Sequence, residues 1–192
     1  RQMCIRDRKV RDYVNNFNLV AEPPLGFNRK KFKNLILFEE LEYSLISVSL
    51  SDNHYTLFKK NIFNSFKLDL PKVGLTKIST VDNTKIIALQ PNQYFFMYKR
   101  ISDFPVDELK SNVGIGYYSD QSDSWSIIKI SGENTIPTLE RICPIDLSIE
   151  KFKIDGVSRT QMEHLSVIMI RIAVHEFILM SPRSSSHSFY HI

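Results

Sequence analysis

Few residues in this chain combine the types and spacing that chemistry needs. Asp120 and Asp123 flank Gln121-Ser122, and a close carboxylate pair can divide general acid–base work, but the same pattern also reads as a turn. His187 and His191 stand four apart and would share a helix face as metal ligands do, yet no third ligand follows at matching spacing. Glu163-His164 and His175-Glu176 are adjacent pairs that a strand turns to opposite faces, so neither is a ready dyad. His54 falls in the Asp52-Asn53-His54 turn signal, and Cys143 reads as a buried structural thiol on a helix's apolar stripe. Gly114-Ile115-Gly116 lacks the third glycine and the strand-to-helix setting of a phosphate loop, and no Gly-x-Ser-x-Gly elbow occurs. The residue chemistry therefore assigns no catalytic, cofactor-binding or metal-binding residue to this chain.

The bulk properties agree with a folded chain. Its 192 residues are 43% hydrophobic and 24% charged, an ordinary globular balance long enough to bury a core. The segment Met3-Cys4-Ile5-Arg6-Asp7-Arg8 looks like translated sequencing adapter, so residues 1–8 are set aside as an artefact. Without them the 25 basic and 21 acidic residues become 22 and 20, which weakens any charge-based case for nucleic acid. Cys143 then stands alone, which excludes a disulfide framework and points to a reducing compartment. No apolar run approaches the ~20 residues of a membrane helix. Alanine occurs only at positions 21, 88 and 173 amid abundant Ile, Lys, Asn and Phe, which suggests a low-GC bacterial genome.

The elements that would position these residues follow from periodicity. Residues 9–43 are predicted to be an irregular arm, on account of Pro23-Pro24 and the basic cluster Arg29-Lys30-Lys31-Phe32-Lys33, which is read as a solvated face offset by Glu39, Glu40 and Glu42. Residues 44–192 are predicted to be one domain whose C-terminal end reads as cut. Residues 43–50 alternate as a half-buried strand, whereas 55–75 carry aromatics without clean period and read as mixed strand and loop. Residues 84–88 and 93–98 form a hairpin around Pro91-Asn92, and 94–100 (Tyr94 to Arg100) is a core strand rather than a stacking platform for single-stranded nucleic acid. A short helix over 103–110 and a strand over 113–118 follow. Residues 124–130 form a strand buried on both sides, with Trp125 and Ile127 opposite Ile128 and Ile130. A helix from Asn134 to Cys143 ends at Pro144; strands follow over 159–162, 166–172 and 175–180, then a terminal helix capped by Ser181. Strands interrupted by few short helices predict an α+β fold with a mainly antiparallel sheet.

Taken in order, several segments resemble the gamma subunit of heterotetrameric sarcosine oxidase. Leu89-Gln90-Pro91-Asn92-Gln93-Tyr94-Phe95-Phe96 resembles that family's Gly-Pro-Asp-Glu-Trp-Leu-Leu hairpin, with Asn92-Gln93 in place of the acids and Tyr94 in place of Trp. Asp120-Gln121-Ser122-Asp123-Ser124-Trp125 resembles its Asp-x-Ser entry to the central strand. Ile130-Ser131-Gly132 and the run from Leu139 to Cys143-Pro144-Ile145-Asp146-Leu147 resemble its strand, helix and Cys-Pro-Leu-Asp-Leu corner. Phe152 to Gly156, Ser158-Arg159-Thr160-Gln161-Met162 and Pro182-Arg183-Ser184-Ser185-Ser186 resemble its Phe-Pro-x-Gly, Arg-Thr and Pro-Arg-Ser-Phe-Ala segments; the first lacks the proline, and Ser185 replaces Phe. The likeness covers 84–192 well and 9–83 poorly.

The resemblance implies a fold like the T-protein (aminomethyltransferase) of the glycine cleavage system. It also implies a cytoplasmic, non-catalytic subunit of a complex that demethylates sarcosine oxidatively to glycine, with tetrahydrofolate taking the one-carbon unit. FAD, FMN, NAD and zinc are then expected on the alpha, beta and delta partner subunits, and none on this chain. No nucleic acid or membrane partner is implied. The alternatives are the small subunit of an N-methylglutamate dehydrogenase-like complex and a stand-alone folate-binding protein of the same fold. On this reading Ser119 to Met180 is the core of a docking module, its shape maintained by Trp125, the 134–143 helix and the Cys143-Pro144 corner.

Overall fold

The structure, a computed structural model, describes residues 22–26, 29–99 and 102–192; the readings for residues 1–8 and 9–21 lie outside the described residues. Alternating apolar side chains build two sheets, with strands numbered here in chain order. A six-stranded sheet runs β1 (Arg29–Phe32), β2 (Leu35–Glu39), β8 (Trp125–Ser131), β11 (Glu176–Pro182), β10 (Leu165–Ala173), β9 (Val157–Met162). A five-stranded sheet runs β4 (Leu75–Ile78), β5 (Lys85–Gln90), β6 (Gln93–Tyr98), β3 (Ser44–Ser49), β7 (Tyr117–Asp120). All pairings among the described strands are antiparallel. Four α-helices, α1 (Tyr55–Phe66), α2 (Pro105–Val113), α3 (Thr135–Leu139) and α4 (Ser186–His191), and 3-10 turns at Asp52–His54 and Arg183–Ser185 complete the described chain. The α+β class and the antiparallel sheet are as predicted.

Period-two alternation sends successive side chains into different interiors. Leu45, Phe95 and Met97 of one sheet meet Ile127, Ile168 and Met180 of the other between the sheets. On its far face the five-stranded sheet presents Ile46, Val48 and Phe96 to Phe58, Ile62 and Phe66 of α1 and Leu109 of α2. The far face of the six-stranded sheet, including Ile128, Ile130, Met169 and Phe177, is covered by Leu139, Cys143, Leu147, Phe152 and Phe189. The layers are therefore helices, sheet, sheet, and a largely irregular cover with α3 and α4. The sheets are joined at one edge, where Thr76 N donates to Asp155 O (2.7 Å) and Val157 N donates to Gly74 O (2.9 Å).

Gly132 sets the end of β8. Its φ is 126°, and a Cβ there would lie 2.4 Å from Asn34 O, so only glycine admits the β1–β2 turn at this place. Asn134 N donates to Asn34 O across the same approach (3.2 Å), and Asn34 turns the hairpin with φ 59°.

Several expectations need correction. The 9–43 stretch is not irregular throughout: β1 and β2 lie within it, and Leu35 and Leu37 pack on the core beneath α3. Pro23-Pro24 disfavours helix, but the alternation that makes β2 begins only after the basic cluster. Residues 55–66 are helical, because Phe58, Ile62 and Phe66 recur every four residues on one buried face, while exposed Tyr55 and Phe63 hide that period. The predicted 113–118 strand is displaced: Val113 closes α2 and β7 begins at Tyr117. α3 spans only Thr135–Leu139, and turns rather than regular helix lead to Cys143. Ser181 lies buried within β11 and caps nothing; Ser185 precedes α4. The β5–β6 hairpin forms as predicted, as does the division of Trp125 and Ile127 from Ile128 and Ile130, and the last two strands, which the sequence leaves as hairpin partners or one bent strand, pair as a hairpin.

Candidate functional site

A cavity of about 580 Å³ opens where the ends of β2, β3, β7, β8 and β11 converge, and residues 22–24 form part of its wall. Asp120 and Asp123 both line it, together with Tyr43, Glu40, Asp103 and Arg183. Asp120 Oδ1 accepts from Ser122 N (2.9 Å), the side-chain-to-backbone bond of the turn reading. Ser122 Oγ in turn accepts from Leu45 N (3.0 Å), and Ser44 Oγ accepts from Ser102 N (3.0 Å). These hydroxyls tie loops together and are not paired with a histidine base.

Tyr43 is held firmly in the wall. Its hydroxyl donates to Trp125 O (2.7 Å), and its pKa is pushed up to about 12. Burial is the main cause; the Arg183 guanidinium opposes it, while Asp123 and Glu39 reinforce it. The phenol therefore stays neutral and acts as a donor, not a base. Arg183 Nη2 donates to Glu22 O (2.6 Å) and Arg183 N to Ser124 O (2.9 Å), so this side chain pins the 22–24 segment over the cavity. Carboxylates beside the Arg183 guanidinium suit a small cationic or hydrogen-bond-donating solute. Among the described lining residues, Ser102 has a carboxylate beside it: its Oγ donates to Glu108 Oε1.

The remaining sequence candidates stay apart. Cys143 is buried, with Sγ 3.9 Å from Thr160 Oγ1, which places the thiol among structural contacts. His164 and His175 occupy exposed turns at opposite ends of β10, and Glu176 pairs with Lys129 (2.9 Å). His54 Nδ1 lies 2.9 Å from Ser51 Oγ, closing its own turn. His187 and His191 are exposed on α4, and among the described residues no group of three His, Cys, Asp or Glu side chains is placed to hold a metal. Tyr94, Phe96 and Tyr98 pack on one side of β6 and Phe95 and Met97 on the other, as a core strand requires. Sequence reasoning did not anticipate Tyr43 and Arg183 as neighbours. They come from distant parts of the chain, and no local signal joins them.

No protein-family model matches this sequence, and no curated protein matches it either. Solved structures do match in fold. One is a chain of the heterotetrameric sarcosine oxidase from Corynebacterium sp. U-96, solved with pyrrole 2-carboxylate. It superposes with a TM-score of 0.75 at 16% identity, over 89% of this chain and 91% of that one. Another is the glycine cleavage system aminomethyltransferase T from Bartonella henselae, with a TM-score of 0.59 at 12% identity. That match covers 81% of this chain but only 44% of the aminomethyltransferase, so this chain corresponds to less than half of that protein. The fold is therefore shared with a sarcosine oxidase subunit and with part of an aminomethyltransferase.

Proposed function

We propose that this chain is a non-catalytic subunit of the gamma type in a heterotetrameric sarcosine oxidase. In this reading it packs against larger flavoprotein subunits in the cytoplasm, and the complex converts sarcosine to glycine with transfer of the one-carbon unit to tetrahydrofolate. The observation that supports it most is the end-to-end character of the structural match, with 89% of this chain on 91% of the other. A module borrowed by a larger enzyme would instead cover a fraction of it, as happens with the aminomethyltransferase. Gly132 admits the turn of β1–β2, and the Cys143-Pro144-Ile145-Asp146-Leu147 corner covers the six-stranded sheet, contacts that suit a shape-holding role. FAD, FMN, NAD and zinc belong, on this reading, to the alpha, beta and delta subunits.

The chain's own part is to hold shape. Purification of the tagged chain co-expressed with its genomic neighbours is expected to recover a flavoprotein, seen by flavin absorbance, in fixed stoichiometry. Recovery of the chain alone would count against the reading. Oxidation of N-methylglutamate in preference to sarcosine by the recovered complex would assign it instead to the N-methylglutamate dehydrogenase-like type.

A second reading, a folate-binding protein, is favoured by the cavity. Its carboxylates match the N–H edge of a pterin ring, which a carboxylate accepts in bidentate fashion. Calorimetric titration of the purified chain with tetrahydrofolate tests this, and a flat titration removes it.

A further inference from the structure

We infer that the outer edge of β1 is a docking edge, which takes an extended acidic segment of a partner protein as a seventh strand of the six-stranded sheet. The inference deepens the subunit reading and rests on it for the identity of that partner. Among the described residues β1 pairs only with β2, and Arg29, Lys30, Lys31 and Phe32 are all exposed. A strand with one bare side presents a row of N–H and C=O groups, the template for strand addition. The four residues of β1 run for about 13 Å, enough to order a partner segment of similar length.

The charge of this edge selects the occupant. Arg29, Lys30, Lys31 and Lys33 place four cations within five residues. Of the carboxylates expected to offset them, Glu39 is buried and accepts from Leu25 N (2.8 Å), and Glu40 pairs with Lys99 (3.4 Å). A second copy of this chain would set like charges across the new ladder, which is unfavourable. A nucleic acid would use the cations but neither the free main-chain groups nor the adjacent apolar surface. An acidic strand uses all three.

The apolar surface is specific to this end of the sheet. No residue of β1 or β2 enters the interior between the two sheets. Phe38 pairs with Lys129, on the face of β8 that carries Ile127 inward, yet it is 39% exposed, and Phe32, on the opposite face with Leu35, is 51% exposed. The six-stranded sheet thus extends past its partner layer here and leaves an exposed aromatic side chain on each face beside a basic edge. The hairpin is also held in place before any partner arrives. Asn34 Nδ2 donates to Glu133 Oε2 (3.3 Å), and the Lys30 ammonium sits 4.4 Å from the Tyr190 ring centroid. Holding an edge rigid lowers the ordering cost of binding. The lysines that keep two copies apart are the same groups that admit an acidic strand.

Two experiments test the edge. In the first, the full chain is mixed with an acetylated, amidated Glu-Val-Glu-Val-Glu-Val peptide and followed by hydrogen exchange. The amides of residues 29–33 are expected to slow about tenfold or more on saturation. The double variant Arg29→Glu/Lys31→Glu is expected to bind about tenfold more weakly, whereas Lys59→Glu/Lys60→Glu on α1, an equal charge change, binds as wild type. Absence of protection at 29–33, equal loss in the α1 control, or protection by a single-stranded oligonucleotide but not by the peptide each overturns the inference. In the second, the β1 double variant replaces wild type in the co-purification above, where it is expected to lose the flavoprotein. Retention of the flavoprotein by that variant defeats the edge and leaves the subunit reading standing. Failure of wild type to bring it down, with β1 still protected by the peptide, defeats the subunit reading and leaves the edge.

Discussion

Arg171 donates to the main-chain carbonyl of Phe152 across 2.6 Å, from a position that is fully enclosed. The same guanidinium reaches Leu147 O (2.9 Å), Val174 O (2.7 Å) and Ala173 O (3.3 Å), and it lies 5.2 Å from the Phe177 ring centroid. Carbonyl oxygens, rather than a carboxylate, surround this cation. Five donors fanned in one plane can serve several carbonyls that no single hydroxyl or ammonium could reach together. The result is a clamp: the irregular 147–152 stretch and the β10–β11 turn are fastened to the sheet by one side chain. The Cys143-Pro144 corner that precedes this stretch depends on the same clamp, since Leu147 supplies an acceptor and packs in the core beside Cys143.

Replacing Arg171 with Met should therefore strand buried carbonyls while preserving much of the apolar stem. The expected loss is about 3 kcal/mol, read as a lower midpoint in urea unfolding. Arg171→Lys should recover less than half of that, because one ammonium cannot span the set. An unchanged midpoint in the Met variant would mean that the clamp carries no stability.

Alkaline pH offers a second test. Burial pushes Tyr43 and Tyr118 up to about 12, from the ordinary value of 10.0. Above pH 10 the unfolded chain releases these protons first, so it binds fewer protons than the native chain and stability falls with rising pH. The loss runs from about pH 10 to about pH 12 and amounts to about 2 kcal/mol for Tyr43 alone. Lys85 acts in the opposite sense: burial lowers its pKa below 10.5, so it costs stability while charged, and that cost is relieved as pH approaches 10.5. Stability measured by urea unfolding is expected to rise gently toward pH 10 and then drop. Tyr43→Phe should start about 1 kcal/mol lower for want of the bond to Trp125 O, but decline less steeply above pH 10. An equally steep decline in that variant would remove Tyr43 as its source.

Helix α1 gives a third. Phe58 is fully buried, stacked on Tyr94 with centroids 5.6 Å apart and edge-on to Phe96, whereas Phe63 on the same helix is 53% exposed. Phe58→Ala is expected to cost about 3–5 kcal/mol, and Phe63→Ser to stay within about 0.5 kcal/mol. Thermal or chemical unfolding of the two variants side by side decides. Comparable losses would contradict the placement of the helix.

The same helix marks a limit of reading along the chain. Its buried period of four was present in the residues, but exposed apolar residues at Tyr55, Leu57 and Phe63 masked it, since hydrophobicity reports what a residue can bury and not whether it is buried. Residues 29–39 were obscured for a related reason. A Lys-rich strand at a sheet edge has the composition of a loop, and only pairing with β2 reveals it as a strand.

By itself, the sequence determined the α+β class, the β5–β6 hairpin, the two-faced burial of β8 and the lack of a local catalytic signature. These are local properties, carried by period-two alternation, turn residues and spacing within a few positions. Tertiary structure alone decided that Tyr43 and Arg183 share a cavity wall with Asp120 and Asp123. It alone decided that Arg171 is enclosed by carbonyls, and that among the described residues β1 pairs only with β2 and forms a basic edge. Each depends on which distant segments are brought together, a matter of pairing and layer packing that no local window records.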